Sequence, residues 1–419
     1  MKESHTAIPV GTLFEYRVAR LRFIQGSFVR RSIDIWSNTQ EGQQLAEIDC
    51  LAISFDPQIR RTVELIECKT NTGKQKEIDR LVWLKGMGAY IKTDTVSFAK
   101  LKVASHTRDF ARQIGVNIQD ESAIATSEYS LRISKDWWPG FHNPEFGEQV
   151  VKPARKVLTS SHELHRAGKY LFGSFWFTDD FTRIKQLRSL YRLLIENSNK
   201  ISPDALRLGL GEATTLFVLT TLSVASWQNQ MAPNDFRSLL SQELSTGLGD
   251  PQSLRMLLRR IDNIQRHQIE SLHEAYQETG KGRIPFVVRS LETDILTPPE
   301  WIEGYIELIS RFSRRPNLAN NILRWIDLWS AELLGYKISR NDLSLFENHR
   351  TSLESATEVV IAFLSRMWDV PDKILDKNAD LSKHQEGSQK VDRFDTKISV
   401  DIPESSEPIS AESSETDAN

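Results

Sequence analysis

Two stretches of the chain decide its fold: Glu47-Ile48-Asp49-Cys50-Leu51-Ala52-Ile53 and Val63-Glu64-Leu65-Ile66-Glu67-Cys68-Lys69. Both are rich in apolar and β-branched residues, which is typical of strands, and the Asp56-Pro57 pair between them predicts a turn. Alternate side chains of a strand share one face of the sheet. An antiparallel hairpin therefore places Asp49 beside Glu67 and Lys69, and it turns the two cysteines towards the opposite, apolar face.

The sequence around this hairpin extends it into an α/β domain. A helix is predicted where Phe14, Val18 and Leu21 recur at helical spacing, and the segments after the hairpin alternate in period. The predicted elements are a helix over 12–25, strands over 28–36, 47–55 and 62–70, a helix over 74–91, a strand over 95–98, a helix over 106–114 and a strand over 116–118. The predicted order is α-β-β-β-α-β-α-β.

Helix-period stretches dominate from Trp137 onwards, and strand-like runs become rare. The predicted helices cover 185–196, 204–225, 234–242, 251–276, 300–313, 318–334 and 341–368. We therefore expect three parts: an α/β domain over 1–130, a mostly helical domain over 131–375, and an acidic, disordered tail over 376–419 that is rich in Ser, Glu and Asp.

The composition is that of a soluble globular protein, with 39% hydrophobic and 26% charged residues and a mean hydropathy of −0.39. The formal net charge of −3 is unevenly distributed. Residues 401–419 contain six Asp or Glu and no Lys or Arg, whereas residues 1–115 contain 18 Lys or Arg against 13 Asp or Glu. The negative total therefore does not exclude a nucleic-acid partner for the amino-terminal part.

We expect a cytoplasmic location and no membrane contact. Two cysteines cannot build a disulfide framework, and Met1–Val10 lacks the apolar core of a signal peptide. The longest apolar stretch, 213–227, is interrupted by Thr and Ser and is too short to span a bilayer, which takes about 20 apolar residues.

The three polar side chains of the hairpin are costly to bury unless a partner neutralises them. A divalent cation between Asp49 and Glu67 is such a partner, because Mg²⁺ binds one or two protein carboxylates and keeps sites for water and phosphate. Lys69 is placed to orient the attacking water or to stabilise developing charge, and partial burial is expected to lower its pKa. The pattern indicates phosphodiester hydrolysis. The alternative is a salt-bridge ladder on a solvated sheet face.

At this point the sequence resembles the PD-(D/E)xK nuclease superfamily, which has the restriction-endonuclease-like fold. The likeness consists of Asp49 on one strand followed by Glu67-Cys68-Lys69 on the next. The segment Gly11-Thr12-Leu13-Phe14-Glu15 is similar to the start of Holliday-junction resolvases and of restriction endonucleases that cut modified DNA. The resemblance covers about residues 8–119, and Ile48 stands where the name of the superfamily has proline.

The resemblance implies an α-β-β-β-α-β nuclease core and a metal site. It implies that Asp49, Glu67, Glu15 and the backbone carbonyl of Cys68 hold Mg²⁺, for which Mn²⁺ can substitute, and that Lys69 acts beside them in catalysis. Weaker expectations concern nucleic-acid contacts, for which a solvated surface is an equal explanation; the residues are Lys74, Gln75, Lys76, Arg30 and Arg31.

The sequence therefore predicts a metal-dependent endonuclease that acts on DNA, with restriction or anti-phage defence as its context by architectural analogy. A homodimer, and a regulatory protein partner bound through the helical domain, are further expectations. The alternative from another class is a catalytically inactive nuclease-like scaffold that binds protein or nucleic acid.

Overall fold

In a computed structural model of the chain, the amino-terminal part is built on a mixed sheet of five strands. The structure describes residues 8–36, 43–70, 77–245, 251–280 and 289–375. The predicted tail, 376–419, and three of the candidate nucleic-acid contacts, Lys74, Gln75 and Lys76, lie outside these ranges.

Among the described residues, four helices are interspersed with the strands of this sheet along the sequence. The elements are α1 (Val10–Ile24), β1 (Phe28–Trp36), β2 (Gln44–Phe55), β3 (Arg61–Lys69), α2 (Glu77–Tyr90), β4 (Thr95–Lys100), α3 (Ser105–Gln113), β5 (Asn117–Asp120) and α4 (Glu121–Ser130). The order up to β5 is the predicted one, and β1 has the predicted bounds. The sequence pattern did not predict α4.

The sheet has the strand order β1-β2-β3-β4-β5. Strands β1, β2 and β3 are antiparallel, whereas β4 and β5 continue the sheet in parallel, so the predicted hairpin forms. Its turn is fixed by Asp56, whose carboxylate accepts hydrogen bonds from the amides of Gln58 and Arg60 at 2.8 and 2.9 Å. At its other end, the pairing of β2 with β3 stops at Cys50 opposite Ile66.

Helix α1 packs against the first three strands. Phe14, Val18 and Leu21 are buried, which confirms the predicted apolar face of this helix. Cys50 and Cys68 are also buried and not joined by a disulfide. Packing against the apolar face of the sheet therefore fixes the position of α1. Glu15 of this helix is only partly buried.

The remainder of the chain is mostly helical, as predicted. Its helices are α5 (Pro144–Phe146), a π-helical turn (Gly147–Val151), α6 (Lys152–Ser160), α7 (His165–Phe172), α8 (Asp180–Glu196), α9 (Pro203–Gln228), α10 (Pro233–Ser245), α11 (Pro251–Glu278), α12 (Leu291–Ile295), α13 (Ile302–Ser313), α14 (Ala319–Leu333), α15 (Arg340–Ser344) and α16 (Arg350–Trp368). Short 3₁₀ turns cover Gly140–His142, Ser174–Phe177, Pro316–Leu318, Glu347–His349 and Asp372–Ile374.

The predicted single helix over 341–368 is wrong, because α15 and α16 are separate. Ser339 starts α15 with a capping box, in which its hydroxyl and the Asp342 carboxylate each bind the other residue's backbone amide. The 3₁₀ turn at Glu347–His349 then precedes α16. The apolar spacing continues across this break, which is why the period alone did not reveal it.

The described strands and helices belong to one compact unit. Helix α9 runs through the core of this unit, against α8, α13 and α14. Among the described residues it is the one helix long and apolar enough to cross a membrane, but that apolar window is fully buried in the protein. Helix α9 is therefore a core helix, consistent with a soluble protein.

Candidate functional site

The candidate site lies where β2 and β3 part. The last backbone pair of β2 and β3 is Cys50 with Ile66. Beyond it, the amide of Cys68 donates a hydrogen bond to the Asp49 carboxylate at 2.8 Å instead of to the backbone of β2. This bond fixes Asp49 against the end of β3. The carboxylate is thereby held beside the strand that carries Glu67 and Lys69.

Lys69 joins the two carboxylates. Its Nζ lies 3.1 Å from Oδ2 of Asp49 and 2.6 Å from Oε1 of Glu67. The side chain of Glu67 is only 2% exposed and that of Asp49 12%. The three predicted residues are therefore brought together, with Glu67 buried, Asp49 partly buried and Lys69 40% exposed. The ion pairs of the alternative interpretation are present, but Glu67 is not on a solvated face.

Arg80 is a fourth member of the site that the sequence analysis missed. Its Nε donates to Oε1 of Glu67 at 2.8 Å, Nη2 contacts the same oxygen, and its guanidinium lies 4.0 Å from the centre of the Trp83 ring. The start of its helix, α2, is held to the sheet because Glu77 binds Lys100 of β4. A basic residue one turn into the helix after Glu-x-Lys is the signal that could have indicated it.

Glu15 of α1 faces the same cluster. Burial, together with the charge of Asp49, raises the pKa of Glu15 to about 7, although Arg31 opposes the rise. Nη1 of Arg31 lies 3.8 Å from Oε2 of Glu15, and the Arg31 guanidinium covers the ring of Tyr16 at 3.2 Å from the ring centre. Arg31 is thus placed at the margin of the site by an acid and an aromatic ring.

The electrostatics of the acids and of the lysine differ. Burial and the neighbouring Asp49 raise the pKa of Glu67. Burial tends to lower the pKa of Lys69, but Asp49 and Glu67 outweigh it and the net shift is upward. The expectation of a lowered pKa for Lys69 is therefore wrong, because its carboxylate neighbours favour the charged form. Lys69 is a fixed cation rather than a neutral amine.

The residues present fit a Mg²⁺ ion in their chemistry. Asp49 and Glu67 supply two oxygen donors that already share one cation, and the pKa values of Glu15 and Glu67 are raised by burial and by the charge of Asp49, which a divalent cation would relieve. Within the described ranges, however, no three Asp, Glu, His or Cys side chains come close enough to form a metal-binding group. Lys69 and Arg80 provide the positive charge in this arrangement.

The structure gives Arg30 a role other than the predicted phosphate contact. Its guanidinium binds Glu212 of α9 at 2.8 Å and also binds Asp327 of α14, and all three side chains are largely buried. Both carboxylates occupy the donors that a phosphate would need. Arg30 therefore links the sheet to the helical part and is not available to nucleic acid.

This cluster predicts a pH dependence of stability. Burial raises the pKa of Asp327 to about 6, and Glu212 adds to the rise while Arg30 opposes it. A raised pKa means that the folded state holds the proton more tightly, so the stabilisation is complete below about pH 4 and is lost as the pH rises through 6. Relative to Asp327→Asn, the wild type should lose up to about 3 kcal/mol between pH 4 and pH 7.

Urea unfolding of the wild type and of Asp327→Asn across this pH range measures the difference between their free energies of unfolding. Titrating groups that both proteins share cancel in this difference. Asp109→Asn is the matched control, because Asp109 is exposed and its ion pair with Arg112 lies on the surface. A stability difference between Asp327→Asn and the wild type that does not change with pH would contradict the assignment.

A cavity of about 570 Å³ opens beside the site, and Glu15 and Glu47 stand on its wall. Each basic side chain that lines it in the described part of the chain is already paired with an acid. The pairs are Arg30 with Glu212, Arg31 with Glu15, Lys152 with Glu148, and Arg155 with Asp34. The lysines and arginines of the wall are thus paired, and the cavity does not of itself indicate an anionic ligand.

Comparisons of the chain with protein-family models, with curated proteins and with solved structures found no match. The class of site is therefore defined by geometry alone. It is a pair of largely buried carboxylates at the divergence of two antiparallel strands, bridged by a lysine and contacted by an arginine. The predicted ligand Glu15 faces the pair but does not form a three-acid group with it in the described residues.

Proposed function

We propose that the chain is a metal-dependent nuclease that hydrolyses phosphodiester bonds, with DNA as its substrate and endonucleolytic cutting as its mode. The single observation that carries the proposal is the convergence of Asp49, Glu67 and Lys69. Three charged groups from two strands contact one another at a place where Glu67 is buried and Asp49 is largely shielded from solvent. Carboxylates with raised pKa values in such a cluster are typical of binding and catalytic sites, which supports the proposal.

The sheet supports the same proposal. A three-stranded antiparallel unit continued in parallel by β4, with a helix before β1 and another between β3 and β4, agrees with the core that the restriction-endonuclease resemblance implies. The proposal takes Asp49 on β2 and Glu67 on β3 as the acids of that core, as the resemblance implies. A large helical part joined to such a core suggests a role in restriction or anti-phage defence in the cytoplasm, by analogy of architecture.

The chain's own residues have distinct roles in this proposal. A Mg²⁺ ion, when bound, polarises the phosphate and lowers the pKa of a water molecule. Asp49 and Glu67 would hold the ion, with Glu15 and the carbonyl of Cys68 as the further donors. Lys69, which keeps its proton, orients the water and offsets the negative charge that develops on the phosphate.

A second candidate is a nuclease-like scaffold without activity, and the contact of Arg80 with Glu67 favours it. One oxygen of Glu67, Oε1, accepts a hydrogen bond from Arg80 and also lies next to Lys69, so these two cations already occupy it. In the scaffold, these cations permanently neutralise the acids. Arg80→Ala then costs stability because Glu67 loses a buried partner, and cleavage is absent from every variant.

The test is a cleavage assay on plasmid, linear duplex and single-stranded DNA and on RNA, with Mg²⁺ or Mn²⁺. We expect the wild type to cut DNA, EDTA to abolish cutting, and Asp49→Asn to lower the rate by at least about 100-fold while weakening Mn²⁺ binding measured alone. Asp109→Asn is the surface control. Equal activity of Asp49→Asn, or no cleavage by the wild type on any substrate, would overturn the nuclease in favour of the scaffold.

A further inference from the structure

Helix α11 (Pro251–Glu278) is packed into the protein along one side only. On that side Leu258 is buried, and the Asp262 carboxylate accepts hydrogen bonds from the amide of Leu291 at 2.7 Å and the hydroxyl of Ser290 at 2.5 Å at the start of α12. Helix α12 is its main neighbour within the described ranges. At 28 residues, or roughly 40 Å, α11 is much longer than the segment it packs against.

An apolar stripe runs along α11 beside the packed side. Leu257, Ile264 and Leu272 are 54%, 58% and 59% exposed. Together with the half-buried Ile261, they are spaced by four, three and eight residues, which places them on one face of a helix. Scattered apolar residues need no explanation on a surface, but several large aliphatic side chains aligned on one helix face, interrupted here only at Gln268, indicate an interaction site.

The charged residues along one side of this stripe indicate which partner surface can bind to it. Arg260, His267 and Glu274 are exposed and follow one another at intervals of seven residues, so they occupy equivalent positions along the stripe. Arg260 lies seven residues before His267, and Glu274 seven residues after it. This side of the stripe is therefore basic at one end and acidic at the other, with its midpoint at His267.

From this pattern we infer that a second copy of the chain binds to the stripe, with the two α11 helices antiparallel. In that orientation Arg260 of each copy faces Glu274 of the other, and the two His267 side chains meet at the centre. A parallel arrangement would bring like ends together. The antiparallel pair is a two-fold interface in which both copies use the same surface, the commonest symmetry of soluble dimers.

The assignment concerns α11 alone and does not depend on the nuclease proposal. Its test is the mass of the full-length protein in solution, measured by light scattering and by sedimentation at about 50 µM. We expect a dimer for the wild type and a dissociation constant at least about 100-fold higher for Ile264→Asp, since each dimer buries the new charge twice. Tyr129→Asp alters a more exposed residue on α4 and should stay dimeric.

A charge exchange tests the orientation and does not disturb the apolar stripe. Arg260→Glu and Glu274→Arg should each weaken the dimer, whereas the double variant should restore it, because the two charges again face their opposites. A monomeric wild type, or a dimer that survives Ile264→Asp, would overturn the inference. A double variant no tighter than the single variants would overturn the antiparallel pairing.

Discussion

Replacing Lys69 by alanine is expected to slow phosphodiester cleavage by about 100- to 10,000-fold, a range typical of a lost acid–base or charge-stabilising group. The ammonium group lies within hydrogen-bonding distance of both carboxylates, so it occupies the position next to any phosphate that they help to bind. Its pKa is raised, and the charge it brings is therefore fully present at neutral pH. Removing that charge leaves the acids in place but takes away the cation that offsets the negative charge developing on the phosphate during the chemical step.

Single-turnover cleavage separates this effect from binding. Lys69→Ala should bind a DNA duplex nearly as well as the wild type in the presence of Ca²⁺, and the loss should fall on the chemical step. Lys69→Arg keeps the positive charge but replaces the compact ammonium with a larger, planar guanidinium. It should therefore cleave faster than Lys69→Ala but more slowly than the wild type. Lys200→Ala changes an exposed lysine of the helical part and serves as the control.

Two results would separate the roles of Lys69 in structure and in catalysis. Lys69 also lies between two buried acids, so its removal can lower the stability of the fold as well as the activity. Thermal unfolding of the variant measures that part. If Lys69→Ala keeps the wild-type rate while remaining folded, the lysine is only a structural counter-ion and the catalytic role is wrong.

The hairpin and its three charged residues were predictable from the sequence because they depend on short-range rules. A strand repeats every two residues, and a short turn between two strands fixes their register within a residue or so. Asp49 and Glu67 therefore come together whenever the hairpin forms. The same local rule placed both cysteines on the buried face.

What depends on distant packing was not predictable. Arg80 joins the site only because Glu77 and Lys100 hold the start of α2 against the sheet. The upward pKa shift of Lys69 depends on how closely the acids are held to it in the folded chain. The nuclease identity itself stays a proposal, since it rests on the arrangement of charged groups and on a resemblance over a quarter of the chain.

Arg30 shows the same limit on a larger scale. In the sequence it stands next to Arg31 on a strand, which suggested a basic surface. Its partners, Glu212 and Asp327, are separated from it by 182 and 297 residues. No local pattern reveals an ion cluster whose members lie so far apart in the sequence. Because Arg30 is buried with these acids, it links the sheet to the helices instead of contacting a ligand.

The substitution Arg30→Met should therefore lower the free energy of unfolding by roughly 3–5 kcal/mol at neutral pH. It leaves two buried carboxylates facing each other without a counter-charge, and the pKa of Asp327 is already raised to about 6, mainly by burial, while Arg30 is present to oppose the rise. The loss should shrink below about pH 5, because Asp327 then takes up a proton and one of the two charges disappears. Urea unfolding at pH 5 and pH 7.5 measures both effects.

A comparison and a rescue make this result specific. Arg60→Met removes an arginine that is 67% exposed and pairs with Asp56 at the hairpin turn, and a surface pair of that kind contributes at most about 1 kcal/mol. Combining Arg30→Met with Glu212→Gln and Asp327→Asn removes the unpaired charges and should recover much of the loss. If Arg30→Met unfolds no more easily than Arg60→Met, the cluster does not join the sheet to the helices energetically, and the stability of the unit comes from its apolar core alone.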